Sequence, residues 1–189
     1  GGWKQRYFTD GMAASFWGKQ IDQVGTVLWG YRHHYFLTGN KGFLERTWPS
    51  LVSAANHLAG RLEDNGLPSP SFDPWEDEYA QGTYSAAAVF AGLKAAAELA
   101  LVKGEKEISQ KWLAASKTVQ EGILKHQWSD RHNRFMRGVN RRVYRDTHDS
   151  ALGRGEKAFT GTDPSGLYQT HFIGEDERVD AALPGLAFP

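Results

Sequence analysis

The segment Asp73-Pro74-Trp75-Glu76-Asp77-Glu78-Tyr79 places four carboxylic acids and two large aromatic rings within seven residues, on an approach broken by Pro68, Pro70 and Pro74. Carboxyl groups give and take protons in hydrolysis, and Trp and Tyr planes stack on the apolar faces of sugar rings. A carboxyl beside an indole is partly desolvated, which favours the protonated form that a general acid needs. Acids just ahead of a helix are also attracted to its dipole, so a capping role fits this loop equally well. A second cluster, Trp17-Gly18-Lys19-Gln20-Ile21-Asp22, sets an aromatic ring, an amide and a carboxylate together at a loop-to-helix junction, a combination suited to sugar hydroxyls. There too Asp22 is compatible with a plain first-turn helix acid, and Trp17 with a core staple.

Other chemistries find less material. The chain has no Cys, and His33 and His34 are adjacent, about 100° apart on a helix and without a histidine four residues away, so no metal site is expected. Arg131, Arg134, Arg137, Arg141, Arg142 and Arg145 form a basic cluster. Lys and Arg total 22 against 22 Asp and Glu, and the cluster has few interleaved aromatics, so it reads as a solvated hairpin and not as a nucleic-acid surface. Gly153-Arg154-Gly155-Glu156-Lys157-Ala158 imitates a dinucleotide loop, but no strand pattern precedes it. The balanced charge points to an uncharged polymer as partner, and no cofactor is implied.

The elements that must hold these clusters read as helices. Ile21, Val24, Leu28, Tyr31 and Tyr35 recur at helical spacing before Gly39-Asn40, predicting a helix over 20–38. Leu51, Val52, Ala55, Leu58 and Leu62 predict a partner over 50–63, with Pro49 placed at its first turn. Residues 63–82 read as a long ordered loop. Thr83 or Ser85 would cap an alanine-rich helix over 85–102 whose small side chains allow close packing, and Ile108, Trp112, Ala115, Val119 and Ile123 line one face of a helix over 106–127. Phe135 to Tyr144 suits a short hairpin, and 146–178 shows no defined element. Hydrophobic residues at 40% with seven Trp are ample for a core, and no continuous apolar run approaches the roughly 18 residues of a membrane span.

Taken together, Tyr7-Phe8-Thr9-Asp10-Gly11, Trp17-Gly18-Lys19-Gln20-Ile21-Asp22, Trp75-Glu76-Asp77, Tyr84-Ser85-Ala86-Ala87, Ala91-Gly92-Leu93 and Val179-Asp180-Ala181-Ala182 resemble, in order, successive blocks of glycoside hydrolase family 15, the family of glucoamylases, glucodextranases and some trehalases. The resemblance implies that Glu76 is the general acid of an inverting α-glucosidase acting on α-glucan chain ends, isomaltooligosaccharides or trehalose. It implies that Trp17, Gln20, Asp22, Trp75 and Asp77 line the sugar site, with Asp77 standing where the family carries a longer Glu.

The same resemblance implies an all-α fold, part of an (α/α)6 barrel. Twelve helices at about 20 residues per helix and loop need more than this chain supplies. The expectation is therefore that residues 1–189 are a fragment of a single catalytic domain truncated at both ends, with the catalytic base after the Val179 block and a substrate-gripping Arg-Asp pair before residue 1. An inactive, carbohydrate-binding helical fragment is the alternative. The start, Gly1-Gly2-Trp3, carries neither an initiator Met nor a signal pattern, which leaves the compartment open.

Overall fold

The computed structural model describes residue 3 and residues 6–14, 20–162 and 166–184. Four long helices follow the apolar periodicity: α1 (Asp22–Thr38), α2 (Lys41–Ala59), α3 (Thr83–Lys103) and α4 (Lys106–His126). Asn40 caps α2 by accepting a bond from the Phe43 amide, which moves that helix start nine residues ahead of the expected 50 and leaves Pro49 inside it. Gly39 and Gly104 end α1 and α3 in the left-handed conformation, where a residue without Cβ carries no steric cost.

Helix α3 is the axis of the core. Ala86, Val89, Leu93, Ala96, Leu99 and Ala100 are each essentially inaccessible, and they pack with Leu28 of α1, Leu51 and Leu58 of α2 and Trp112 and Val119 of α4. On length and composition α3 could cross a membrane, but 61% of that stretch is buried inside the fold, so it is accounted for as a core helix. The small side chains do what their size allows. A Cβ added at Gly92 would lie 2.5 Å from Gly25 Cα and 2.7 Å from Gly25 O, so the α1 and α3 backbones touch there. Seven residues further along α1 and six along α3, the Arg32 guanidinium meets Glu98 at 2.6 Å, and the two helices run side by side in the same direction.

The expected all-α fold is incorrect. Alongside the helices lies a five-stranded, wholly antiparallel sheet in the order β1 (Ser71–Phe72), β2 (Tyr79–Gly82), β5 (Gly138–Val143), β7 (Gln169–Asp176), β6 (Ala158–Thr162). A two-stranded sheet, β3 (Trp128–Ser129) with β4 (Arg134–Phe135), and a short helix α5 (Arg145–Gly153) complete the described residues, making the architecture mixed α/β rather than part of an (α/α)6 barrel. The strands escape sequence reading because few of their residues enter the core: β6 has no fully buried residue, and three strands have only two residues. Their pairing satisfies backbone groups more than it buries apolar surface.

Sheet and helices meet where β2 runs directly into α3. Thr83, wholly buried, donates its hydroxyl to Met136 O at 2.7 Å and its amide to Arg137 O at 2.9 Å, fixing the start of α3 against the chain entering β5. Gln127 adds an amide bond to Gln81 O at 2.9 Å.

Candidate active site

The acidic segment is the tip of a hairpin. Pairing of Phe72 with Tyr79 and of Ser71 with Ala80 closes residues 73–78 into a loop, and Asp73 organises it from within. Asp73 N donates to Glu78 O, Asp73 O accepts from Glu76 N at 3.0 Å, and Asp73 Oδ1 accepts from the amides of Asp77 and Glu78. Within this turn Glu76 has φ +62°, in the left-handed region that a non-glycine residue adopts only when its surroundings impose it. The capping alternative for these acids does not hold: β2 separates them from α3, whose N-cap is Gly82 and whose first turn contains no acid.

The second cluster comes to the same place. Gln20, buried, donates from Nε2 to Asp73 O at 2.8 Å and accepts a short bond from Gln23. Asp22 follows at the first turn of α1, 5% exposed and with no partner for Oδ1 among the described residues. Burial pushes the Asp22 carboxyl up to about 6 and the nearby Asp73 charge adds to the rise, against two backbone hydrogen bonds that pull it down. Trp17 lies outside the described residues. Trp75, 55% exposed, donates its indole N–H to Asp180 Oδ1 at 2.9 Å, which draws the Val179-Asp180 block onto the loop.

The basic cluster is the counter-charge of this acidic loop, a role that its sequence position did not disclose. Arg137 reaches Asp73 at 2.5 Å and Asp77 at 2.8 Å, with Asp180 at 3.7 Å. Arg141 and Arg178 both hold Glu78, at 3.0 and 2.7 Å, and both face Asp176. Burial lifts the Asp73 carboxyl above the ordinary aspartate range even against the pull of Arg137. Burial pushes Asp176 the same way, but the hydrogen bonds and charges of Arg178, with Arg141 beside it, outweigh it and hold that carboxyl low. The remaining arginines are also engaged: Arg131 with Glu177, Arg134 with Glu177 O, Arg145 with Asp149, and Arg142 over the Tyr79 ring.

Glu76 is the one acid of the loop that this arginine set does not hold. Both of its oxygens instead accept from Arg6 Nη2 at 2.9 Å, and Arg6 is largely exposed. The structure thus brings Gln20, Asp22, Trp75, Glu76 and Asp77 around one turn. The partners that sequence reasoning missed are Arg137, Arg141, Arg178 and Asp180; only the four-residue step from Arg137 to Arg141, lying between acidic segments on either side in sequence, hinted at them.

No protein-family profile matches the chain. Over 140 residues, 74% of this chain, it is 31% identical to a protein of Methanocaldococcus jannaschii named as an uncharacterized glycosyl hydrolase. This chain is similar to a glycoside hydrolase. The matched stretch spans 22% of that relative's length, and its name specifies neither a sugar nor a linkage, so the similarity reaches glycoside hydrolases in general and does not single out the glucoamylase family.

Proposed function

We propose that the protein is a glycoside hydrolase of the glucoamylase type, inverting, that releases glucose from the ends of α-glucan chains with Glu76 as its general acid. The observation that carries this reading is the contrast inside one hairpin loop: Asp73, Asp77 and Glu78 are tied to buried or half-buried arginines, whereas Glu76, in a left-handed conformation next to the half-exposed Trp75, is paired with the largely exposed Arg6 alone among the described residues. The similarity to a named glycoside hydrolase supports the reaction class.

In this reading the glucosyl ring rests against Trp75, and Asp77, Gln20 and Asp22 orient hydroxyl groups. Glu76 passes a proton to the glycosidic oxygen as the bond to the anomeric carbon breaks. A carboxylate base on the opposite face, roughly 6.5 to 9.5 Å from the acid, takes a proton from the attacking water. Asp73, Glu78 and Asp176 serve as counter-ions that hold the loop, so the base is none of these. The stereochemistry of the product tests the proposal. Proton NMR of the full-length gene product acting on maltohexaose should show β-glucose appearing first and mutarotating to the α-anomer; initial α-glucose, or a larger sugar as first product, is incompatible with it.

A further inference from the structure

The mechanism leaves unused a cleft of about 1070 Å3 formed where the end of α4 and β3 face the β5–β7 part of the sheet; it shares Arg141, Asp176 and Arg178 with the charged frame of the hairpin loop but is lined by neither Trp75 nor Glu76. We infer that this cleft is a second, non-catalytic carbohydrate-binding site, which holds an uncharged stretch of a glucan chain with Trp128 as its stacking platform. Its volume suits several sugar rings, since clefts of about 300 to 1,000 Å3 accommodate drug-sized ligands.

The cleft's chemistry selects the ligand class. Its lining is mainly polar but includes the buried apolar side chains of Met136, Val139 and Ile173, and Trp128 stands at the lining 37% exposed and braced edge-on by Phe135. This combines apolar side chains and an aromatic plane with polar groups in one lining, the combination that the two kinds of face on a sugar ring require. Among the polar groups, Asn140 is fixed by its bond to Gln81 Oε1 at 2.8 Å and holds φ +55° in the middle of β5, a backbone conformation that persists only where the surroundings demand it. Glu175, exposed and without a side-chain partner among the described residues, offers two acceptor oxygens.

Electrostatics disfavours a polyanion. Six Lys and Arg side chains line the cleft against five carboxylates, and the arginines are already matched: Arg154 with Glu156 at 2.6 Å, Arg131 with Glu177 at 3.8 Å, Arg141 and Arg178 with Asp176 at 3.4 and 2.6 Å. Of the six cations only Lys125 and Lys157 have no ion pair among the described residues, and the unpaired carboxylates Asp130 and Glu175 in the same lining offset them, whereas planar, paired guanidinium and carboxylate groups are well suited to hydroxyl pairs.

The choice of a glucan rests on the proposed glycoside hydrolase function, so the test separates the two. The Glu76→Gln gene product is labelled with 5-fluorotryptophan, the Trp128 and Trp75 resonances are assigned with Trp128→Phe and Trp75→Phe, and the protein is titrated with maltohexaose and, separately, with tripolyphosphate. Trp128 should shift saturably with maltohexaose and not with tripolyphosphate, and the midpoint should move up by about tenfold in Glu175→Gln, an exposed position whose exchange spares the core. A Trp128 signal that ignores maltohexaose, responds to tripolyphosphate, or keeps its midpoint in Glu175→Gln overturns the inference. The Trp75 signal reports independently on the hairpin loop, so failure at the cleft and failure of the catalytic reading are distinguished.

Discussion

Replacing Asp22 by Asn should stabilise the protein, and only at neutral pH. The side chain is 5% exposed, Oδ1 has no partner among the described residues, and the carboxyl is displaced from 3.8 to about 6, chiefly by burial. An acid whose native pKa is raised keeps its proton in the folded state after the unfolded chain has released it. The folded state therefore binds more protons between about 4 and 6, and stability falls as pH rises through that window. At about 1.4 kcal/mol per tenfold, the displacement amounts to about 3 kcal/mol of destabilisation, fully expressed above pH 6 and absent below about pH 4. Asparagine keeps the shape of the protonated acid without the charge. In urea unfolding, Asp22→Asn should match the parent near pH 3.5 and exceed it by about 3 kcal/mol at pH 7.5, about 6 to 12 °C in melting temperature for a chain of this size. If Asp22 grips a sugar hydroxyl, the same variant should bind maltohexaose more weakly, the usual exchange of stability for function at a site. An equal gain at both pH values, or a loss at pH 7.5, would show that Asp22 is not held as a buried, uncompensated acid.

Two further substitutions test the frame around the site. Gly92→Ala should lower the melting temperature by about 4 to 10 °C, because its Cβ would press on the Gly25 backbone and part α1 from α3, at about 2 to 3 kcal/mol once the gain in helix propensity is deducted; a thermal melt showing no change or a rise would contradict the close crossing. Arg137→Met should cost about 3 to 5 kcal/mol at pH 7 by stranding the Asp73 carboxylate, 9% exposed. The cost should shrink as the solution is made acidic, because burial raises the Asp73 carboxyl above the ordinary aspartate range and it takes up a proton; urea titrations that give the same loss in neutral and in acidic solution would refute the pairing.

The helices were legible because α1 to α4 each bury a repeating apolar face, and their predicted limits fall within a few residues of the structure except at α2. There the Asn40 cap outweighs Pro49, which lies in the third turn of α2 and takes away the bond to the Glu45 carbonyl without ending the helix. The sheet was not legible. Its central strand β5 reads Gly-Val-Asn-Arg-Arg-Val, and what fixes it is pairing to β7 and salt bridges to a loop some 60 residues away, which no local pattern encodes. Those long-range bonds explain why six arginines read as a solvated basic patch when two of their number, Arg137 and Arg141, are committed to carboxylates of the site. The composition of the acidic loop pointed to the site, but its role as a hairpin tip depended on Phe72 pairing with Tyr79 across six residues.

The central claim is that Glu76 gives the proton, and one substitution tests it most directly. In the full-length gene product, Glu76→Gln should leave the melting temperature and maltohexaose binding close to the parent and cut turnover of maltohexaose by on the order of a hundredfold or more, because the amide keeps the shape but has no acidic proton to give. Turnover of α-glucosyl fluoride, whose leaving group needs no protonation, should fall far less. Undiminished turnover of maltohexaose by Glu76→Gln, or an equal loss on both substrates, would contradict the assignment.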